Sequence, residues 1–176
     1  LGALDWAANR EGVDWFLERV WPAIHAAAPK ARFTVAGRNA PLGWLQNLPP
    51  GVIFAGEVED AAAFLASQAV VVVPLLTGSG MRIKVIEALA LGRPLVGSSQ
   101  AVEGIALVSG EHAMVADEPE AFAQEVLGLL DDPTRAEAIG RAGQRLVRDA
   151  YDLENVVYAL LEFYQRTFHP DAMPAT

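Results

Sequence analysis

The sequence predicts a doubly wound α/β fold, a parallel sheet with helices on both faces, and three observations carry that expectation. Residues 70–73 are four consecutive valines, and an unbroken β-branched run suits a strand buried on both faces, which is the habit of parallel sheets. Short apolar runs of this kind alternate along the chain with segments of helical periodicity. Gly78-Ser79-Gly80 follows the valine run and leads into a helix, a connection that lies at the carboxyl end of a strand, where folds of this class bind ligands. At 176 residues and 52% hydrophobic composition the chain fits one domain with ample material for a core.

Taken in order, Leu1-Gly2-Ala3-Leu4 reads as the tail of a strand whose earlier residues are missing, so the chain is expected to be one half of a longer protein. Over 11–28 the residues Val13, Phe16, Leu17, Val20 and Ile24 recur at helical spacing, and Pro22 is expected to kink this helix or start a second one. Residues 31–37 and 52–58 read as short strands, with Pro41, Leu42, Gly43, Trp44, Pro49 and Pro50 in the turns between them. A short helix is expected over 60–67 and a strand over 70–73, and the helix after the glycine turn starts near Gly80. Two more strands follow at 94–98 and 112–116, and the remainder is helical over 119–130, 133–149 and 153–168. Asp132 before Pro133 has the form of an N-cap with proline at the first helical position. Val156, Val157, Leu160, Leu161 and Tyr164 form a stripe on the last helix.

A net charge of −9 argues against a general nucleic-acid binder, which needs a basic surface to neutralise phosphates. Without cysteine, disulfides, thiol nucleophiles and cysteine metal sites are excluded, as expected of a cytoplasmic protein. No apolar run approaches the ~20 residues that span a bilayer, and no signal peptide is visible. His25, His112 and His169 share no spacing suggestive of a catalytic or metal cluster, and no Asp-x-Asp sequence offers a metal site. Trp6, Trp15, Trp21 and Trp44 are expected in the core or against a missing domain, with Trp6 and Trp44 in loops.

The chemistry concentrates in residues 78–94. A glycine-rich turn at a helix start exposes unpaired backbone N–H groups and the positive end of the helix dipole, a place for an anion such as phosphate. Arg82 and Lys84 add cationic side chains there. Glu87, roughly 10 Å along a helix begun near Gly80 at about 1.5 Å per residue, leans back toward that end. Its carboxylate can accept from the two neighbouring hydroxyls of a ribose just beyond the phosphates. A nucleoside diphosphate conjugate fits this arrangement. A ligand-free strand-to-helix connection remains the alternative for the glycines, and an i,i+3 surface pair with Glu87 the alternative for Lys84.

In this stretch the chain resembles the carboxy-terminal, donor-binding half of GT-B glycosyltransferases of family 4. Those enzymes end a strand in proline, turn through glycines and enter a helix reading Glu-Ala-hydrophobic-Ala, then a glycine and a Pro-Val strand. The same order stands here as Pro74, Gly78 to Gly80, Glu87-Ala88-Leu89-Ala90, Gly92 and Pro94-Leu95-Val96. The likeness extends upstream to Val35-Ala36-Gly37-Arg38 and to Gly51-Val52-Ile53-Phe54-Ala55-Gly56-Glu57-Val58.

The resemblance implies a Rossmann-like half of a GT-B enzyme that transfers sugar from a nucleotide-diphosphate donor, with retention and without a metal or other cofactor. It implies that Gly78, Ser79, Gly80 and Met81 hold the diphosphate and that Glu87 takes the ribose; Arg82 and Lys84 depart from the small and apolar residues common in better-known members, and their charge is expected to act on the leaving group in place of groups that other members draw from elsewhere. Gly2, Gly37 and Arg38 would approach the phosphates, and Gly56 and Val58 would line the nucleobase. Many members carry two glutamates separated by seven residues, the first associated with the sugar; Ser79 stands in its place here. Residues 1–176 would thus form the donor domain, with 152–176 packing toward an amino-terminal domain that holds an acceptor glycan or glycolipid. The isolated half would transfer poorly or not at all. The implied setting is cytoplasmic polysaccharide or glycolipid assembly, the full-length protein being free or peripheral at the inner membrane. A nucleotide-sugar epimerase half and a non-catalytic nucleotide-binding module are the alternatives. A dinucleotide oxidoreductase fits less well, because its glycine fingerprint follows the first strand.

Overall fold

A computed structural model describes residues 1–40, 43 and 47–168 of the chain. Expectations for Pro41, Leu42, Trp44, His169 and the rest of the carboxyl tail fall outside these residues.

The first helical stretch begins four residues earlier than its periodicity suggests and is built in three pieces: α1 (Ala7–Trp15), a π-helical segment (Phe16–Val20) and α2 (Trp21–Ala27). Pro22 causes the break. It has no N–H for the ladder, and the Trp21 N–H reaches back five residues to Phe16 O instead. The two following strands, β1 (Phe33–Ala36) and β2 (Val52–Gly56), are parallel and shorter than expected. A register shift between Val35 and Ala36 sets Ala36 against Gly56, which re-aims the chain where the strands end.

Downstream, α3 (Ala61–Ala66) is capped by the Asp60 carboxylate on Ala63 N–H at 2.8 Å. Then come β3 (Val71–Val73), α4 (Ile83–Ala90) and β4 (Leu95–Gly97). A short α5 (Ser99–Val102), absent from the sequence expectations, starts on a Ser98 cap. The chain continues through β5 (Met114–Val115), α6 (Pro119–Asp131), α7 (Pro133–Ala150) and α8 (Leu153–Phe168). Asp132 caps α7 as its position before Pro133 predicts, accepting from Arg135 N–H at 2.9 Å. On α8 the side chains of Val156, Val157, Leu160, Leu161 and Tyr164 are exposed.

β3, β4 and β5 form a second parallel set in that order. Helices cover both faces, so the fold is the expected doubly wound α/β arrangement. On one face Phe16, Val20, Trp21 and Ile24 pack with Phe122, Val126 and Leu129 of α6 against Val96 and Met114. On the other, Leu65 of α3, Val85 and Leu89 of α4 and Val147 of α7 pack on Val71, Val73 and Leu95. Gly12 allows α1 to touch the end of β3, since a Cβ there would stand 2.0 Å from Pro74 O. Between β1 and β3 lies an apolar slot of about 290 Å³.

Candidate functional site

The site forms where β3 passes into α4. Val73 and Leu75 are buried, and the Ser98 hydroxyl donates to Leu75 O, so the chain leaves the sheet on a fixed path. It then turns through Gly78 (φ 115°) and Gly80 (φ 83°), backbone conformations that disfavour a side chain. The loop's internal hydrogen bonds run through its carbonyls. Gln100 Nε2 donates to Gly78 O at 2.7 Å and Arg82 Nη1 to Ser79 O at 2.6 Å. Among the described residues no side chain accepts from the N–H groups of Gly78, Ser79, Gly80 or Met81. α4 starts at Ile83, with Arg82 in extended conformation at the N-cap and no side-chain cap, so its first N–H groups stay available for an anion.

Arg82 is the most unusual residue of the site. Only 6% of it is exposed, its guanidinium lies 5.9 Å from the centre of the Trp6 ring, and Nε and Nη2 have no hydrogen-bond partner among the described residues. A buried charge with unmet donors is costly unless an opposite charge joins it. Lys84 stands two residues on, its Nζ donating to Asn9 Oδ1 at 2.6 Å. Burial, and then the neighbouring Arg82, lower its pKa from 10.5 to about 8.

The surface-pair alternative for Lys84 is not what the structure shows, because its partner is Asn9 rather than Glu87. Glu87 is exposed on the second turn of α4. With the helix beginning three residues later than expected, it lies about 6 Å along the axis rather than 10, closer to the loop.

Three of the expected glycines are neighbours at the carboxyl ends of the strands. Gly2 N–H donates to Ala36 O and Gly37 N–H to Gly56 O, and a Cβ on Gly37 would stand 1.8 Å from Gly2 O. Asn9 joins this row to α4: its Nδ2 donates to Ala3 O at 2.8 Å while its Oδ1 holds Lys84. Arg38 is exposed, engaged through its carbonyl with Leu4 N–H, and Val58 lies beyond the end of β2. Met81 is exposed at the rim, as is Trp6.

Asn9 is the site residue that sequence reasoning missed. It is 7% exposed on the same face as Gly12 and Phe16, a polar residue on an apolar stripe. That signal was readable only if the helix was taken to start before Glu11. Of the histidines, His25 stacks on Trp21 and His112 accepts from Val108 N–H through Nδ1. Both have structural partners. Trp21 is buried and Trp15 packs edge-on against Phe122, both in the core as expected. No helix among the described residues is long and apolar enough to cross a membrane.

Residues 1–132 match the family model described as glycosyl transferases group 1. The chain is 23% identical over 172 residues to an uncharacterized 44.6 kDa protein in the cps region of Klebsiella pneumoniae, covering 92% of this chain and 44% of that protein. It therefore spans less than half the length of that relative. Among solved structures it is similar to the C-terminal domain of LpcC, a glycosyl transferase group 1 family protein from Francisella tularensis. The TM-score is 0.70 at 19% identity, over 87% of this chain and 84% of that one. It is also similar to HepE of Anabaena in complex with UDP, with a TM-score of 0.73 at 15% identity, over 94% of this chain and 48% of that one. At these identities the structures establish the fold alone, the Rossmann-like α/β arrangement of a GT-B half.

Proposed function

Since the chain belongs to the glycosyl transferases group 1 family, we propose that it is the carboxy-terminal, donor-binding half of a retaining family 4 enzyme. Its donor is a nucleotide-diphosphate sugar, and its acceptor, a glycan or glycolipid, is held by an amino-terminal domain outside this chain. The observation that carries the reading is the buried Arg82 guanidinium, with Nε and Nη2 unmet, at the uncapped start of α4 beside Lys84. Diphosphate oxygens satisfy those donors and the loop amides together.

In this reading the backbone N–H groups of Gly78, Ser79, Gly80 and Met81 bind the diphosphate. Arg82 and Lys84 stabilise the negative charge that grows on the leaving nucleotide as the sugar bond breaks. These cations and amides supply the neutralisation that a metal provides elsewhere, so none is required. Glu87 accepts from the ribose hydroxyls and fixes the donor's register. The row Gly2, Gly37 and Gly56 gives nucleotide and phosphate room to approach the backbone, and Ser79 occupies the place of a sugar-contacting glutamate. Support comes from the similar fold of HepE, solved with UDP, and from the similarity to a fragment described as the C-terminal domain of LpcC.

Calorimetric titration with UDP and GDP tests the proposal. One nucleotide should bind the chain, Glu87→Ala should weaken it about tenfold, and Arg82→Met should abolish the phosphate contribution. Equal affinity of the wild type and Glu87→Ala would remove the ribose assignment.

A further inference from the structure

The Gln100 side chain joins α5 to the glycine turn. Its Nε2 donates to Gly78 O and to Glu103 Oε2, both at 2.7 Å. A carbonyl and a carboxylate can only accept, so the amide nitrogen rather than its oxygen faces them, and each of its two N–H groups has one partner. α5 itself is held firmly. The buried Ser98 hydroxyl donates to Leu75 O and accepts from Ala101 N–H, while Asp117 Oδ1 accepts from both the N–H and the hydroxyl of Ser99. Gln100 therefore reaches the turn from a short helix fixed to the end of β3 and to the chain beyond β5.

The bond to Gly78 O decides which way a loop amide points. A trans peptide is planar, with its C=O and N–H on opposite sides, so a Gly78 C=O drawn toward α5 directs the Ser79 N–H away from it. Ser79 is exposed, and no backbone carbonyl or side chain among the described residues accepts from that N–H. The backbone alone does not enforce this orientation. The peptide between Gly78 and Ser79 turns over by rotating ψ of Gly78 and φ of Ser79, and a residue without a Cβ, already at φ 115°, offers little resistance. Turned over, the peptide would show an oxygen where a phosphate needs a donor. The bond from Gln100 biases that equilibrium by roughly two- to tenfold, the worth of a net hydrogen bond, and Glu103 restrains a side chain that would otherwise lose rotamer freedom to make it. Arg82 Nη1 holds the next carbonyl, Ser79 O, so two consecutive peptides of the turn are set by side chains.

We propose that Gln100, held by Glu103, is a positioning residue of the diphosphate site: it fixes the Gly78 carbonyl on α5 and so presents the Ser79 N–H to a phosphate oxygen. This role rests on the reading of the glycine turn as a diphosphate cradle. It adds a residue 22 positions downstream of Gly78 that acts through the backbone rather than on the ligand.

Calorimetry and proton–nitrogen NMR with UDP test it in charge-matched pairs. Gln100→Met removes the donor at equal charge and similar length, and should weaken UDP binding about three- to tenfold relative to wild type. The downfield displacement of the Ser79 amide proton that UDP produces in the wild type should largely disappear in this variant, even at saturation. Glu103→Ala and Glu103→Gln both lose the negative charge, but only glutamine keeps an acceptor for Gln100 Nε2. The alanine variant should therefore bind UDP about twofold or more weakly than the glutamine variant. A merely structural role would lower the thermal midpoint without singling out the Ser79 amide. Equal affinity of wild type and Gln100→Met, or an undiminished Ser79 displacement, overturns the proposal, as does equal affinity within the Glu103 pair. Should Gln100→Met fail to fold, the Glu103 pair decides with the same two readouts. A wild type that binds neither UDP nor GDP removes the diphosphate reading and this role together, whereas a binding wild type with indifferent variants removes the role alone.

Discussion

Replacing Lys84 by methionine separates what the fold prefers from what the site needs. The ammonium is lowered from 10.5 to about 8, first by burial and then by Arg82, a gap of about 2.5 pH units or roughly 3 kcal/mol at 1.36 kcal/mol per unit. Below pH 8 the group is charged in both folded and unfolded chains, and the cost of burying it is fully present. Between pH 8 and 10.5 the folded chain releases its proton while the unfolded chain keeps it, so wild-type stability rises with pH across that window. Methionine keeps the stem and removes the charge. It also leaves Asn9 Oδ1 without its donor, which returns about 1–2 kcal/mol. The Lys84→Met variant should therefore be more stable than the wild type by roughly 1–2 kcal/mol at pH 7, the difference between the 3 and the 1–2 above. As the wild type regains about 1.4 kcal/mol per pH unit above pH 8, that advantage should vanish near pH 9 and reverse toward pH 10.5. Urea denaturation followed by tryptophan fluorescence at pH 7, 8, 9 and 10 measures it. A variant less stable at pH 7, or two chains whose stabilities run parallel from pH 8 to 10, would refute the reasoning.

Further outcomes follow from the same geometry. UDP affinity of the wild type should decline as pH rises above about 8, where Lys84 loses its charge, and this decline should be missing in Lys84→Met; calorimetry at several pH values reads both. Asn9→Ala should weaken UDP binding severalfold while Asn9→Gln restores part of it, because Asn9 aims Lys84 and anchors Ala3. Arg82→Met should leave thermal stability equal to or above wild type, since two guanidinium nitrogens are unmet, and should flatten the salt dependence of UDP binding. Gly12→Ala should destabilise by about 3 kcal/mol, the upper end of the usual overpacking range, because its Cβ would stand 2.0 Å from Pro74 O; a denaturant midpoint equal to wild type contradicts that.

The sequence carried the strand and helix order because its signals are local. The valine run, the Asp132-Pro133 cap and the stripe of Phe16, Val20 and Ile24 each report burial or capping within a few residues, and each sits where expected. Boundaries moved where tertiary contacts decide them. α1 starts at Ala7 because Asn9 and Gly12 are needed against the strand ends, and α4 starts at Ile83 because Arg82 is drawn back onto Ser79. The cationic pair and the glycine turn were legible from composition and spacing, whereas Asn9 was not: its partner Lys84 is 75 residues away, a distance no local pattern spans. Gly2, Gly37 and Gly56 form a row through hydrogen bonds between residues more than thirty positions or nearly twenty positions apart, which no local pattern reports.

A crystal structure of the chain soaked with UDP bears most directly on the central claim, that the start of α4 grips a diphosphate. Phosphate oxygens should lie within hydrogen-bonding distance of Arg82 Nε or Nη2 and of loop amides at Ser79 to Met81, with the ribose hydroxyls on Glu87. Nucleotide density elsewhere, or phosphates at this loop with Arg82 still turned away and its nitrogens unmet, would contradict it.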